Sequence, residues 1–328
     1  MRTEAVLHPD EVAVVNQLQS DFPLAEHPFA LAAERLEMTE SDLLATVASL
    51  LQRKVLSRFG PLYQVERMGG QFVLAALEVP EARIDEVAAQ LHAMPAVAHN
   101  YLRTHRLNMW CVLATATPEA MQQAQQAIVQ TTGLPLYAFP KCKEYYVGMR
   151  FTVGGEAPVG AHAERVQLVS DYVLTESDWQ LVRATQAGLP VVTEPYQQIA
   201  QQLGWSEQAV YQGLERLLQA GVVRRVGVVP NHYAIGYRSN GMAVFDVDDA
   251  LIDQLGVKIG ALDFVTHCYQ RPRHGSQWPY NLFAMCHGNS QEMVHAQVAQ
   301  IRALLGAACR QSDVLFSTRI LKKTGVRL

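Results

Sequence analysis

The stretch PYQQIAQQLGWSEQAVYQGLERLLQAGVVRRVG, residues 195–227, has a diverged copy elsewhere in the same chain. It aligns without a gap on PFALAAERLEMTESDLLATVASLLQRKVLSRFG, residues 28–60, at a constant separation of 167 residues. The two stretches share the identical pairs Pro28/Pro195, Ala33/Ala200, Leu36/Leu203, Glu40/Glu207, Leu51/Leu218, Val55/Val222, Arg58/Arg225 and Gly60/Gly227. We therefore expect a tandem duplication that produces two similar halves.

Each copy of this stretch has the pattern of a winged helix-turn-helix. In the second half the apolar spacing predicts helices over residues 177–185, 195–203 and 207–220. Ser206 is a suitable N-cap for the third helix, and Gly221 is placed to end it. The β-branched run at residues 222–229 predicts the strand of a wing.

The remainder of each half predicts a ferredoxin-like β-α-β-β-α-β domain. In the second half we expect strands at residues 239–247, 263–270, 280–287 and 312–321, with helices at 248–259 and 290–305. The first half repeats the strands more faintly, at residues 71–77, 96–103, 108–115 and 137–144. The expected class is α+β, divided into a winged helix-turn-helix at 1–66, a ferredoxin-like domain at 67–153, a linker at 154–171, a second winged helix-turn-helix at 172–238 and a second ferredoxin-like domain at 239–328.

The overall composition is typical of a globular protein of the cytoplasm. Of 328 residues, 49% are apolar, and the net charge is −4, so no positive field draws the chain to nucleic acid or anionic lipid. The five cysteines have no spacing typical of a metal site and suit reduced thiols. The chain has no apolar run of the ~20 residues that span a membrane, and its acidic residues from Glu4 onward argue against a signal peptide. We expect a cytoplasmic protein with no membrane partner.

A helix-turn-helix followed by a ferredoxin-like domain is similar to the Lrp/AsnC group of bacterial transcription regulators. The resemblance lies in LGWSEQAV at residues 203–210, LLQAGVVR at 217–224 and Ile235-Gly-Tyr237. A DNA-binding regulator that responds to a small molecule is therefore one functional hypothesis.

The charges on the expected recognition helices argue against that hypothesis. In the second half Arg216 stands against Glu207 and Glu215, and the first half presents Glu40 and Asp42. Because DNA affinity grows with the number of Lys and Arg contacts to phosphate, we expect no DNA partner. We interpret the basic residues of the wing regions as a solvated face, formed by Arg53, Lys54, Arg58, Arg224 and Arg225.

Both halves keep the same polar residues around the second and third strands of the sheet. The first half has HNYLR at residues 99–103 and the second has HCYQR at 267–271, and a hairpin then folds Asn108 or Asn281 back beside them. Alternate residues of a strand share a face, so His, Tyr and Arg of each set point the same way. Core packing alone would favour apolar residues there. The repeated set predicts a ligand site, with a set of satisfied, half-buried side chains as the alternative.

These motifs, taken together, resemble the siroheme decarboxylases, which are Lrp/AsnC-like enzymes. The second half carries the resemblance in HCYQR at residues 267–271, WPYNLF at 278–283 and FSTRILKK at 316–323. The first half carries it in AHNYLR at 98–103, RLNMW at 106–110 and FPKCKE at 139–144. The resemblance covers almost the whole chain and is to the fused NirDL type, in which two unlike halves share one polypeptide.

The resemblance implies a substrate, siroheme, and a reaction in haem d1 biosynthesis. The acetate groups at ring positions 12 and 18 would lose CO2, which gives 12,18-didecarboxysiroheme. No cofactor is implied beyond the iron of the substrate itself. A homo-oligomer or a complex with related decarboxylase subunits is implied as well. One cavity between unlike halves and two separate sites both remain open.

The resemblance and the chemistry of a carboxylate-rich ring together nominate the site residues. A histidine has a pKa suited to protonating the carbon that loses CO2, so His99 and His267 are the candidate acids, supported by Tyr101 and Tyr269. Either histidine is also a candidate ligand of the substrate iron. The candidates for binding the substrate are Arg103, His105, Arg106, Trp110, Lys141, Lys143, Arg271, Arg273, His274, Trp278, Tyr280, Asn281, Arg319, Lys322 and Lys323.

Overall fold

The computed structural model describes residues 6–148, 150–154 and 172–323. In chain order these residues form α1 (Pro9–Gln17), α2 (Pro28–Arg35), α3 (Glu40–Gln52), β1 (Leu56–Tyr63), β2 (Gln71–Leu77), α4 (Ile84–Ala93), β3 (Val97–Arg103), β4 (Met109–Thr115), α5 (Pro118–Thr132), β5 (Tyr137–Pro140), β6 (Lys143–Val147), α6 (Glu176–Thr185), α7 (Pro195–Leu203), α8 (Glu207–Gln219), β7 (Val223–Pro230), β8 (Ser239–Val247), α9 (Ile252–Gly260), β9 (Val265–Gln270), β10 (Leu282–Gly288), α10 (Gln291–Leu305) and β11 (Cys309–Lys323). The α+β class and the β-α-β-β-α-β order are confirmed in both halves.

The chain forms two compact units, and each unit takes one segment from each half of the duplication. One unit comprises Met1–Met68 with Arg150–Gly236, and the other comprises Gly69–Met149 with Tyr237–Leu328. The predicted linker lies outside the described residues from residue 155 to residue 171.

The first unit holds the two helix-turn-helix segments. In the second of them, Ser206 caps α8 by accepting a hydrogen bond from the backbone N–H of Ala209, at 3.2 Å. Gly204 ends α7 in the left-handed conformation, with φ of 71°, which glycine adopts without a steric cost. Val210 and Leu214 are fully buried, as the apolar spacing predicts.

The wings of the two segments pair with each other. Strand β1 runs antiparallel to β7, and Gly60 lies opposite Gly227 in the register. A Cβ atom on Gly227 would lie 2.2 Å from the carbonyl oxygen of Leu18, and one on Gly60 would lie 2.9 Å from the backbone nitrogen of Leu189. The identical pair Gly60/Gly227 therefore persists because neighbouring backbone approaches both strands too closely for a side chain.

Pairing of the wings also corrects the expected solvated basic face. Arg225 is 5% exposed and donates to the carbonyl oxygen of Val228, at 3.1 Å. Arg58 donates to the carbonyl oxygen of Gln186 at 2.9 Å. The prediction of a solvated wing face was wrong for these two arginines, because strand pairing between the halves encloses them. Nothing in this arrangement favours the DNA-binding hypothesis.

The second unit contains one nine-stranded sheet, in the order β5-β2-β4-β3-β11-β8-β10-β9-β6. The halves exchange strands, since β11 pairs with β8 of its own half and then with β3 of the first half. Reciprocally, β5 pairs with β2, while β6 pairs with β9 of the second half. The single strand predicted at residues 137–144 is thus broken after Pro140, whose missing N–H cannot extend a ladder.

Helices and sheet faces enclose three apolar clusters in this unit. Helices α4 and α5 pack on the strands of the first half, around residues such as Val87, Leu91 and Ile128. Helices α9 and α10 pack similarly on the second half. A third cluster joins inner-face residues of both halves, namely Ala76, Leu107, Trp110, Phe139, Met242, Val244, Trp278, Phe283 and Leu315. We call it the inter-half core.

Candidate functional site

The repeated His-Tyr-Arg sets form two matching ladders. On β3 the rings of His99 and Tyr101 lie 6.2 Å apart, and the guanidinium of Arg103 lies 5.6 Å from the Tyr101 ring. On β9 the rings of His267 and Tyr269 lie 5.9 Å apart. The corresponding Arg271 guanidinium lies 4.8 Å from the Tyr269 ring. The structure therefore gathers each set on one strand face, with the same spacing in both halves.

Each ladder lies beside a strand supplied by the other half. Tyr101 is opposite Ile320 of β11, and Tyr269 is opposite Glu144 of β6. Lys141 also lies beside the second ladder: its Nζ atom is 5.3 Å from the Tyr269 ring and forms a salt bridge with Glu144 at 2.7 Å. Strand exchange thus builds each ladder's surroundings from both copies of the duplication.

The aromatic candidates meet in the inter-half core. Trp110 and Trp278 are fully buried, with ring centroids 5.0 Å apart, and Phe139 stacks on Trp110 at 5.2 Å. The indole nitrogen of Trp110 donates to the carbonyl oxygen of Leu107, at 2.7 Å. These two tryptophans are therefore buried anchors of the inter-half core and do not form an open aromatic wall.

Three further candidates surround this core. His105 packs edge-on against Trp278 at 5.1 Å, and Tyr280 does so at 5.1 Å. His274 packs against Phe139 at 4.7 Å, and its Nε2 atom lies 2.8 Å from the carbonyl oxygen of Ala138. Burial lowers the pKa of His105, although nearby Asp313 opposes that shift. A lowered pKa keeps the His105 ring neutral near neutral pH.

Two candidates of the second half are engaged in holding the strands. Asn281 is 2% exposed, and its amide oxygen accepts from the backbone N–H of Val247 at 2.9 Å. Its amide nitrogen donates to the carbonyl oxygen of Val247 at 2.9 Å and to Asp249 at 2.8 Å. Arg273 donates to both Asp246 and Asp249. These hydrogen bonds bind the side chains of Asn281 and Arg273 to the protein itself. They do not support the expected contact of the two residues with a ligand.

Asn108 makes the equivalent pair of hydrogen bonds to the backbone in the first half. Its amide oxygen accepts from the backbone N–H of Val79 at 2.9 Å, and its amide nitrogen donates to the carbonyl oxygen of Val79 at 2.8 Å. The pair Asn108/Asn281 is therefore repeated because both halves need it to fix the chain after the first strand. Its repetition alone does not distinguish a structural role from a binding role.

Several other basic candidates do not join the ladders through their side chains, although Lys323 of β11 lies opposite His99 in the strand register. Lys143 pairs with Asp253 at 2.8 Å, and Arg319 pairs with Asp85. Lys322 donates to the carbonyl oxygens of His92 and Met94, at the C-terminal end of α4, where a cation meets the negative end of the helix. These three therefore face the helices, contrary to the expected shared site. Arg106 is exposed and contacts Glu78 and Gln277. The side chain of Lys323 lies outside the described residues.

Comparison with known proteins identifies the family. A model of the AsnC-like ligand binding domain matches residues 67–145 and 234–322, and one of the siroheme decarboxylase NirDL-like HTH domain matches residues 11–56 and 178–224. The NirDL subunit of siroheme decarboxylase from Paracoccus pantotrophus is 32% identical, and the alignment covers 96% of each chain. The chain belongs to the siroheme decarboxylase family.

Shorter members of the siroheme decarboxylase family are similar to about half of the chain, and full-length members are similar to nearly all of it. The NirH subunit from Paracoccus pantotrophus is 58% identical over 153 residues, which cover 47% of this chain and 95% of that subunit. A solved structure of the siroheme decarboxylase NirDL in complex with an iron-uroporphyrin III analogue is 28% identical, with a TM-score of 0.71 over 96% of this chain and 92% of that chain. Members of this family are enzymes that remove CO2, and the resemblance inferred from the motifs is confirmed.

Three residues of the second half were missed by sequence reasoning about this decarboxylase. Thr266, His287 and Asn240 lie beside His267 and are linked to it by hydrogen bonds. The available signal was a polar side chain at positions where the first half has an apolar one. That signal was not recognised because the three residues are far apart in the sequence.

The residues that the structure describes contain neither a metal-binding cluster nor a membrane-spanning helix. Among the described residues, no cluster of three or more His, Cys, Asp or Glu side chains could hold a metal ion. In that same part of the chain, no helix is both long enough and apolar enough to cross a membrane. The five cysteines are free thiols, and burial raises the pKa of Cys111 and of Cys286 to about 12 in each case.

Proposed function

We propose that the chain is a carboxy-lyase that acts on siroheme without an external oxidant. It removes CO2 from the acetate groups at ring positions 12 and 18 and yields 12,18-didecarboxysiroheme for haem d1 biosynthesis. The observation that carries the proposal is the pair of matching His-Tyr-Arg ladders beside the inter-half core. Siroheme carries carboxylates and a flat ring, and the ladders offer cations and aromatic faces to both. The iron of the substrate is the only metal that this reaction needs.

The cations of the ladders hold the carboxylates that survive the reaction. A cation paired tightly with a departing carboxylate would stabilise the reactant more than the transition state, since CO2 leaves uncharged. Arg103, Arg271 and Lys141 therefore orient the ring through its other carboxylates. The reactive acetates then lie in a drier environment near the histidines.

The histidines supply the proton and bind the iron. When CO2 leaves, its bonding electron pair stays on the methylene carbon, which takes a proton to become a methyl group. An imidazole near neutral pH is suited to that donation. His99 and His267 are the residues for these two roles, and Tyr101 and Tyr269 position them.

We also propose that the chain assembles with related subunits. Relatives named NirH and NirG subunits of siroheme decarboxylase match parts of this chain, and a complex of such subunits is consistent with those names.

The test is a single-turnover incubation of the purified full chain with siroheme under anoxic conditions. We expect two successive losses of the mass of CO2 from the tetrapyrrole. His267→Ala should abolish the product, while His92→Ala, a change at an exposed histidine on α4, should retain it. Wild-type product formation by folded His267→Ala would contradict the role of that residue. A wild-type chain that binds siroheme and forms no product would refute the activity.

A further inference from the structure

A chain of hydrogen bonds runs from His267 into the sheet of the second half. Nδ1 of His267 lies 2.9 Å from the hydroxyl oxygen of Thr266, and that hydroxyl lies 2.8 Å from Nε2 of His287. Nδ1 of His287 lies 2.6 Å from the amide oxygen of Asn240. Thr266, His287 and Asn240 are each at most 9% exposed. We call these four side chains the relay.

The atoms of the relay restrict where its hydrogens lie. The amide oxygen of Asn240 only accepts, so Nδ1 of His287 carries a hydrogen. The Thr266 hydroxyl has a single hydrogen, which it donates to one imidazole while it accepts from the other. When His287 is a cation, it donates to Thr266, and Thr266 donates to Nδ1 of His267. His267 then carries its hydrogen on Nε2.

One proton transfer switches the relay to its second arrangement. If Nε2 of His267 gives up its hydrogen, Nδ1 of His267 takes the hydrogen of Thr266. Thr266 takes the hydrogen from Nε2 of His287, which becomes neutral. The relay thus exports one proton, and both imidazoles are then neutral. It is reset in the reverse direction: Nε2 of His267, the half-buried end of the relay, takes up a proton from solvent, and the hydrogens shift back through Thr266 to Nε2 of His287.

The first half provides an internal comparison. Asn240 lies opposite His287 in the β8–β10 register, and Phe72 lies opposite Ala114 in the corresponding β2–β4 register. In both halves the strand pairing is irregular at the residue that precedes the histidine of the ladder. This residue is Thr266 in the second half and Ala98 in the first, so Ala98 occupies the position that corresponds to Thr266. The positions that hold an amide, an imidazole and a hydroxyl in the second half therefore hold Phe72, Ala114 and Ala98 in the first.

This difference separates the two ladders, which otherwise have the same spacing. Burying a hydroxyl, an imidazole and an amide costs free energy unless they bond to one another. The second half retains all three in one connected network, and the first half has no side chain capable of relaying a proton at those positions. Apolar residues suffice for the fold at this location, as the first half demonstrates.

We propose that His267, and not His99, is the proton donor of decarboxylation, and that Thr266, His287 and Asn240 resupply it. The inference rests on the proposed decarboxylase function. As the bond between the methylene carbon and the carboxylate breaks, CO2 leaves and the electron pair on carbon takes the hydrogen from Nε2 of His267. The product is a methyl group, and each of the two decarboxylations consumes one proton from the relay. Thr266 and His287 are positioning residues that act through His267.

The experiment compares Thr266→Val, which removes the hydroxyl at nearly constant shape, with Thr266→Ser, which keeps it. The full chain turns over siroheme under anoxic conditions, and kcat and KM are measured from product mass. General acid catalysis is typically worth about 10²–10⁴-fold, and His267 remains in place, so we expect Thr266→Val to lower kcat by roughly tenfold to a hundredfold. KM should stay within about twofold, and Thr266→Ser should keep kcat within about threefold of wild type.

A matched control separates the relay from the general effect of losing a buried hydroxyl. Thr132 of α5 is 2% exposed and donates its hydroxyl to the carbonyl oxygen of Ile128, and Thr132→Val should leave kcat unchanged. Wild-type kcat in folded Thr266→Val would overturn the relay while leaving the decarboxylase function intact. An equal loss in Thr266→Ser and Thr266→Val would overturn it as well. No product from the wild-type chain would instead refute the proposed function.

Discussion

Replacing Asn281 with alanine tests whether its amide holds the fold or binds the substrate. The side chain makes three hydrogen bonds, two to the backbone of Val247 and one to the carboxylate of Asp249. A neutral hydrogen bond contributes about 1 kcal/mol and one to a charged group about 1.5–3 kcal/mol. We therefore expect Asn281→Ala to lower the free energy of unfolding by roughly 3.5–5 kcal/mol. KM for siroheme should be unchanged in the folded fraction.

The assay is urea unfolding followed by circular dichroism, together with KM measured well below the unfolding midpoint. Asn108→Ala is the matched variant, since its amide makes two hydrogen bonds to the backbone of Val79 and none to a carboxylate. Its loss should be smaller, at about 2 kcal/mol. A variant Asn281→Ala with wild-type stability and a KM raised tenfold would refute this reasoning and restore the substrate-binding role.

Two further predictions concern the winged unit. Burial alone would raise the pKa of Asp178, but hydrogen bonds from Arg216, Thr175 and Tyr172 lower it to about 2, below its ordinary 3.8. Because the folded pKa is the lower one, the stabilisation is present above about pH 4 and disappears as pH falls toward 2. Asp178→Asn should therefore cost about 2 kcal/mol at pH 7 and much less at pH 3, and an equal cost at both pH values in urea unfolding would contradict this. Gly227→Ala should lower the thermal midpoint by several degrees, since its Cβ would lie 2.2 Å from the carbonyl oxygen of Leu18. An unchanged midpoint would show that β7 can shift away from Leu18 at little cost in stability.

The elements of the fold were largely predictable because they depend on local patterns. Apolar spacing and the Ser206 cap located α8, and the residues at 239–247 gave β8 with the bounds that the structure shows. The break after Pro140 was missed, although proline itself signals it. The exchange of β6 and β11 between the halves has no local signature, since it depends on which strand edges meet after each half has formed.

The candidate site was predictable in its most regular part. The spacing of two residues along a strand placed each His, Tyr and Arg on one face, and comparison of the two copies selected them. The same comparison also selected Asn281, because a repeated residue serves structure as readily as binding. For Arg273, Arg319 and Lys322, positive charge suggested a ligand, but carboxylates and a helix end in the folded protein take up that charge.

The amino-acid sequence by itself determined that this protein has two similar halves, that each contains a winged helix-turn-helix and a β-α-β-β-α-β domain, and that it resembles the siroheme decarboxylases. Those properties follow from residue spacing and motifs, which act over a few residues. Only the tertiary structure decided that the halves exchange strands and pair their wings. It alone placed Thr266, His287 and Asn240 behind one of two similar histidines, because hydrogen bonds across a sheet join residues that the sequence keeps far apart.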